Sequence, residues 1–166
     1  MKQVKTYSEL FKGLLDILYD VVVEVGDKIN DKLRYHIDEE VYINQNNYYA
    51  NGTRQPTYEL RESVTTSEPK KTGNSVSVKI FHDKNKMSFA PDDFIHGSRY
   101  WKDGLTDIRE LLPLIIDQGL SGNLFGEGWW TEPRPYFSNT LEELNNSGLL
   151  KKWFREALTK RGLKVQ

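Results

Sequence analysis

The feature that most constrains this chain is an apolar stripe near its start. Phe11, Leu14, Leu15, Leu18, Val22, Val25, Ile29 and Leu33 recur at spacings of three and four. That rhythm puts them on one face of a helix and predicts a single helix over about 8–38. Ser8 would be its N-cap and Glu9 the carboxylate in the first turn, where the helix dipole favours negative charge. A helix of about 31 residues, rising roughly 1.5 Å per residue, is about 46 Å long. A compact domain of this size is only about 40 Å across. The helix must therefore bend, with Gly26 the natural place, or run past its own body. A projecting apolar stripe needs a partner, which points to an assembly.

The rest of the chain reads as short elements joined by long polar segments. Glu39–Gln55 is a loop rich in Asn and Tyr, and Pro56 opens a short helix to Val64, since proline at a first turn loses no hydrogen bond. Val64–Glu68 is a first strand, and Thr72–Gly73–Asn74 a turn. Val76, Val78 and Ile80 alternate with polar neighbours as one half-buried strand. Asp83–Lys86 is a turn, and Met87–Ala90 a short returning strand. Thr106 would cap a helix from Asp107 to Gln118 that ends at Gly119, with Pro113 kinking or splitting it. Asn139–Asn145 and Leu149–Arg161 are helices. The second turns Leu150, Trp153, Phe154, Ala157 and Leu158 inward, and Leu163–Val165 is a last strand. The expected fold class is α+β. A small antiparallel sheet packs with the long N-terminal helix, short helices and a C-terminal amphipathic helix, in one domain over 1–166 with its α+β body at about 39–166.

Composition narrows the function classes. Only 37% of the 166 residues are apolar, yet 12% are aromatic, with 4 Trp and 9 Tyr. Disordered chains are poor in aromatics. No apolar run approaches the 18 or so residues of a membrane span, and Met1–Thr6 lacks the features of a signal peptide. With no Cys, disulfides and thiolate sites are excluded. A net charge of −1 lacks the electrostatic footprint of a nucleic-acid binder. The basic residues Lys151, Lys152, Arg155, Lys160 and Arg161 read as cations favoured near a helix C-terminus.

Chemistry-bearing constellations are sparse. Asp92, Asp93 and His96 could hold a metal and support a small metal-dependent nuclease. A solvated loop with a packed aromatic is the favoured reading of them, and no cofactor or metal is expected. Glu39–Glu40 sits in polar sequence and reads as solvated surface. What stands out is aromatic: Tyr48, Tyr49, Tyr100, Trp101, Phe125, Trp129 and Trp130 all fall in segments with turn chemistry. Loops that long are unusual unless functional, and Trp and Tyr dominate binding energy at interfaces. These seven are the candidate interface residues.

Three stretches bring a family into view: Tyr48–Tyr49 with Arg54–Tyr58 and Leu60–Val64; Ile116–Gly122; and Arg134–Thr140 running into Trp153–Leu158. In order and spacing they resemble the head–tail joining or tail-completion proteins of long-tailed bacteriophages, over roughly Tyr48 to Val165. The resemblance implies a virion part and not an enzyme: an α+β subunit of a ring at the neck, joining the DNA-filled head to the tail, with no catalytic residues to carry over. It implies a homo-oligomer, six copies favoured and twelve the alternative. Neighbouring neck, connector and tail-tube proteins would be its partners, and DNA would pass through the lumen without specific binding. A head-closure connector is the runner-up. The implied location is the virion neck or tail, assembled in the host cytoplasm, with no membrane contact.

Overall fold

The computed structural model describes residues 6–43, 58–87, 108–119 and 133–164. It is an α+β protein. Helix α1 (Tyr7–Ile37) leads into a π-helical turn, Asp38–Ile43. Helix α2 (Glu59–Ser63) is followed by strands β1 (Val64–Thr66), β2 (Lys70–Thr72), β3 (Ser75–Ser77) and β4 (Ile80–His82) and a 3₁₀ turn, Lys84–Lys86. Helices α3 (Ile108–Gln118), α4 (Tyr136–Asn146) and α5 (Leu149–Lys160) complete the order. Strands β2 and β3 pair antiparallel, Lys70 opposite Ser77 and Thr72 opposite Ser75, and β1 pairs with β4. The chain divides into two compact units. The first comprises Met1–Asp31, Thr66–Ile80 and Glu142–Gln166, and the second Lys32–Thr65 and Phe81–Leu141.

Helix α1 is unbroken over its 31 residues. Its cap is Thr6, not the expected Ser8. Glu9 N–H donates to Thr6 Oγ1 and Thr6 N–H to Glu9 Oε2, each at 3.2 Å. This reciprocal box satisfies two backbone donors where Ser8 would have satisfied one. In the first unit, Val21 and Val25 are buried against Ala157 of α5, with Ile17, Ile29, Leu150, Trp153, Phe154 and Leu158 packed around them. The inward face expected for the C-terminal helix is the observed one. Arg161 fastens its end, donating to Glu24 Oε2 at 2.8 Å and to the Asp20 carbonyl at 3.1 Å. That bond, ahead of the nearby Lys160, Arg161 and Lys28 charges, holds the Glu24 carboxyl below its ordinary range.

Gly162, at φ +82°, closes α5. Its N–H donates to the Thr159 carbonyl and that of Leu163 to Leu158, a Schellman closure. The Leu163 N–H is thereby spent on the helix end, and Leu163 and Lys164 form no strand.

The β-region of this unit also differs from expectation. The run from Val76 to Ile80 is two strands, because the ladder is interrupted. Ser67 N–H donates to the Lys79 carbonyl at 2.8 Å, but the return bond from Lys79 N–H goes to the Ser67 side chain at 2.9 Å. Pro69, two residues on, has no N–H to give. The same interruption ends β1 at Thr66, short of the expected Glu68. Gly26 does not break α1. A Cβ there would lie 3.3 Å from Val78 Cγ1 and 3.5 Å from Thr66 Cγ2, so the glycine admits the hairpin close to the helix.

In the second unit, Leu33, Ile37, Val41, Leu60, Val64, Met87, Ile116 and Tyr136 are buried. Glu39–Ile43, expected as loop, continues the helix within a π turn over Asp38–Ile43. Its polar residues read as loop in sequence, but they find partners: Asp38 pairs with Arg61 at 3.2 Å, and Glu40 accepts from Asn139 at 2.9 Å. The helix expected from Pro56 is described only as Glu59–Ser63. Met87 is buried and is no strand residue, its N–H closing the 3₁₀ turn onto Lys84. Helix α3 runs through Pro113 without splitting. The N–H that proline lacks would serve the Arg109 carbonyl, so the helix forgoes that one bond. Helix α4 starts three residues before its expected Asn139, for a reason found in its cap below.

Gly26→Leu is predicted to destabilise the protein by about 1–3 kcal/mol, as overpacking does, because Val78 and Thr66 occupy the space. Urea denaturation would measure it, and Gly13→Leu is the control, since nothing lies within 4 Å of a Cβ at Gly13.

Candidate functional site

Tyr48, Tyr49, Tyr100, Trp101, Phe125, Trp129 and Trp130 lie outside the described residues, as do Asp92, Asp93 and His96. Two other features carry chemistry or contact potential.

The first is a polar cluster inside the second unit. Ser63 ends α2 with no exposed surface, and Tyr136 opens α4 at 1% exposure. Ser63 Oγ lies 2.6 Å from the Leu60 carbonyl and 2.7 Å from His82 Nδ1. The other ring nitrogen, Nε2, lies 3.2 Å from Tyr136 Oη, which is 3.0 Å from the Pro113 carbonyl. One line of polar atoms thus joins α2, β4, α4 and α3. Burial pushes the His82 imidazole down to about 4, against a smaller opposing effect of the Leu60 carbonyl. His82 is therefore neutral at pH 7. Burial, then the Asp117 charge, pushes the Tyr136 phenol up, so it keeps its proton. A serine beside an imidazole suggests a nucleophile, but in this arrangement Ser63 is closed to any substrate.

Asp117 of α3 is 6% exposed. Its Oδ1 accepts the Phe137 N–H at 2.8 Å and its Oδ2 the Ser138 hydroxyl at 3.3 Å. It supplies from another helix the N-terminal cap that Pro135 cannot, and that cap sets the early start of α4. Residues from all three stretches of the family resemblance meet in this unit: Leu60, Ser63 and Val64; Ile116 and Asp117; and Tyr136 to Thr140. His82 gave a weak signal in the sequence. It lies two residues after Ile80, on the same face of a strand.

The second feature is apolar surface. Residues 7–14, the first two turns of α1, are exposed throughout. Tyr7 is 84% exposed, Leu10 45%, and Phe11 and Leu14 36% each. They continue the stripe that α5 covers from Ile17 onward. In the second unit Leu111 and Leu114 of α3 and Phe137 and Leu141 of α4 are exposed. Among the described residues no group of three or more His, Asp or Glu could hold a metal ion. No described helix is long and apolar enough to cross a membrane.

Asp117→Ala should cost about 2 kcal/mol of stability in urea denaturation, the scale of a hydrogen bond to a charged group. The His82 site gives a signed pH dependence. Its folded value, about 4, lies below the ordinary 6.5, so the unfolded chain binds the proton first. Stability from this site is complete above pH 6.5 and is lost as pH falls towards 4, by up to about 1.4 kcal/mol per pH unit. His82→Gln, which does not titrate, should lack that slope, so the difference between the two curves should show it.

No curated protein and no solved structure matches the chain. The model of the YomN family matches residues 6–160, nearly its whole length. It is a phage-derived family, after YomN from a Bacillus prophage, and this phage protein belongs to it.

Proposed function

We propose that the protein is a structural subunit of a phage neck ring, of the tail-completion type, that joins the DNA-filled head to the tail. It works by contact and not by catalysis. The observation that carries this reading is the uncovered beginning of α1, where a stripe buried by α5 further along runs on into Leu10, Phe11 and Leu14 at the surface. Exposed apolar patches of this kind mark contact surfaces. A ring about one axis joins two different surfaces of each subunit. Besides the stripe on α1, the chain exposes Leu111 and Leu114 on α3 and Phe137 and Leu141 on α4. The phage-derived family and the resemblance to tail-completion proteins point the same way. Six copies match the six-fold symmetry of tails, and a net charge of −1 suits a lumen that DNA passes without being gripped.

Native mass spectrometry over a concentration series, and on purified phage necks, tests the proposal. The expected result is a closed ring of six, with Leu14→Glu weakening ring formation about 30-fold or more, the scale of an interface hot spot. A protein that stays monomeric at every concentration and is missing from purified particles contradicts it.

A further inference from the structure

The Ser63–His82–Tyr136 line has one more contact than its neutral side chains have protons. Four approaches run along it: Leu60 carbonyl to Ser63 Oγ, Oγ to His82 Nδ1, Nε2 to Tyr136 Oη, and Oη to the Pro113 carbonyl. Each hydrogen bond takes one proton. The two hydroxyls and a neutral imidazole supply one apiece, so one contact stays unfilled, and the tautomer decides which. With the proton on Nε2, the ring donates to Tyr136, Tyr136 to Pro113 and Ser63 to Nδ1, leaving the Leu60 carbonyl. With the proton on Nδ1, the ring donates to Ser63, Ser63 to Leu60 and Tyr136 to Nε2, leaving the approach to Pro113.

The two carbonyls are not equivalent. Pro113 lies inside α3, where its carbonyl accepts the N–H four residues on. For Leu60 that N–H belongs to Val64, which donates to Arg61 instead. The Leu60 carbonyl therefore depends on the Ser63 and Nδ1 end of the line, above all on the Ser63 hydroxyl, at 2.6 Å the shortest contact in it. We propose that His82 is a proton-operated switch in the second unit. Neutral, it stands as the Nδ1–H tautomer and draws the Tyr136 hydroxyl onto Nε2. Protonated, it donates from Nε2 and turns that hydroxyl over to the Pro113 carbonyl of α3.

The groups around the imidazole fit this reading. From α2 it faces the Leu60 carbonyl and Ser63, and from α4 Tyr136, behind which stands Pro113 of α3. Several charges on these elements and beside them are engaged elsewhere. Asp117 caps α4, Arg61 pairs with Asp38 and Glu62, Lys84 with Glu110, and Arg34 donates to the Val64 carbonyl. Burial and the Leu60 carbonyl govern the proton affinity of the ring, with no charged side chain among the causes. Protonation thus fills the fourth contact at the expense of a buried charge.

Long-range ¹H–¹⁵N correlation of the His82 ring in the full chain tests the switch. At pH 7 the spectrum should give a protonated Nδ1 and a bare, hydrogen-bonded Nε2, the reverse of the usual preference of free imidazole. A protonated Nε2 at pH 7 overturns the proposal. In an acid titration the Pro113 carbonyl ¹³C shift should move with the His82 ring, and an unmoved carbonyl overturns the hand-over. Ser63→Ala should release the ring to the Nε2–H tautomer, and an unchanged tautomer contradicts the role given to Ser63. If that variant fails to fold, the wild-type spectrum alone decides.

Discussion

Everything in the first unit depends on the seam between α1 and α5. Val21 and Val25 meet Ala157 with essentially no exposed surface. The small alanine lets the helices approach, and Trp153, Phe154, Leu150 and Leu158 close over the sides. A fully buried side chain such as Val21 or Val25 contributes about 1.5–3 kcal/mol, far more than the ion pairs at the rim. Those pairs, Arg161 to Glu24 and Lys28 to Glu156, act as alignment. The seam is also finite. Helix α5 stops at the Gly162 closure, at the level where Arg161 reaches Asp20, while the stripe on α1 goes on for three more turns.

The second unit is organised by polar atoms as much as by apolar ones. Ser63, His82, Tyr136 and Asp117 are costly to bury unless satisfied. Here their bonds tie α2, β4, α3 and α4 to one another. Geometry of this kind fixes which helix end sits where, since a hydrogen bond tolerates little displacement. The Asp117 cap shows the effect: α4 begins where a carboxylate from another helix meets its first N–H groups.

The periodic elements were legible in the sequence. The length of α1, the inward face of α5 and the glycine end at Gly119 follow from spacing and from backbone freedom. Within the α1 stripe Val25 and Ile29 pack as expected, while Ile17 and Val21 take the places given to Leu18 and Val22. One miss was local: Thr6 displaced Ser8 as cap because Glu9, three residues on, answers it. The rest was set by partners distant in sequence, and the start of α4 depends on Asp117. The split of the expected Val76–Ile80 strand depends on Ser67, and the π turn on Arg61 and Asn139. The polar cluster was invisible for the same reason: Ser63, His82 and Tyr136 are ordinary residues until folding brings them within hydrogen-bond distance. The seven aromatic candidates lie outside the described residues. The contact surface argued from structure is a different set, on α1, α3 and α4, and the part on α1 was foreshadowed by a helix too long for its body.

A phage-derived family, a helix whose apolar stripe outruns its internal partner and further exposed apolar side chains on α3 and α4 combine into an account of assembly by contact. Its central claim is that the first turns of α1 are covered when the protein is in place. Covalent footprinting with a small carbene probe, comparing the free protein with purified phage particles, tests that claim most directly. The account predicts strong labelling of Tyr7, Leu10, Phe11 and Leu14 in the free protein and protection of these residues in the particle. Equal labelling in both, or particles that contain none of the protein, would contradict it.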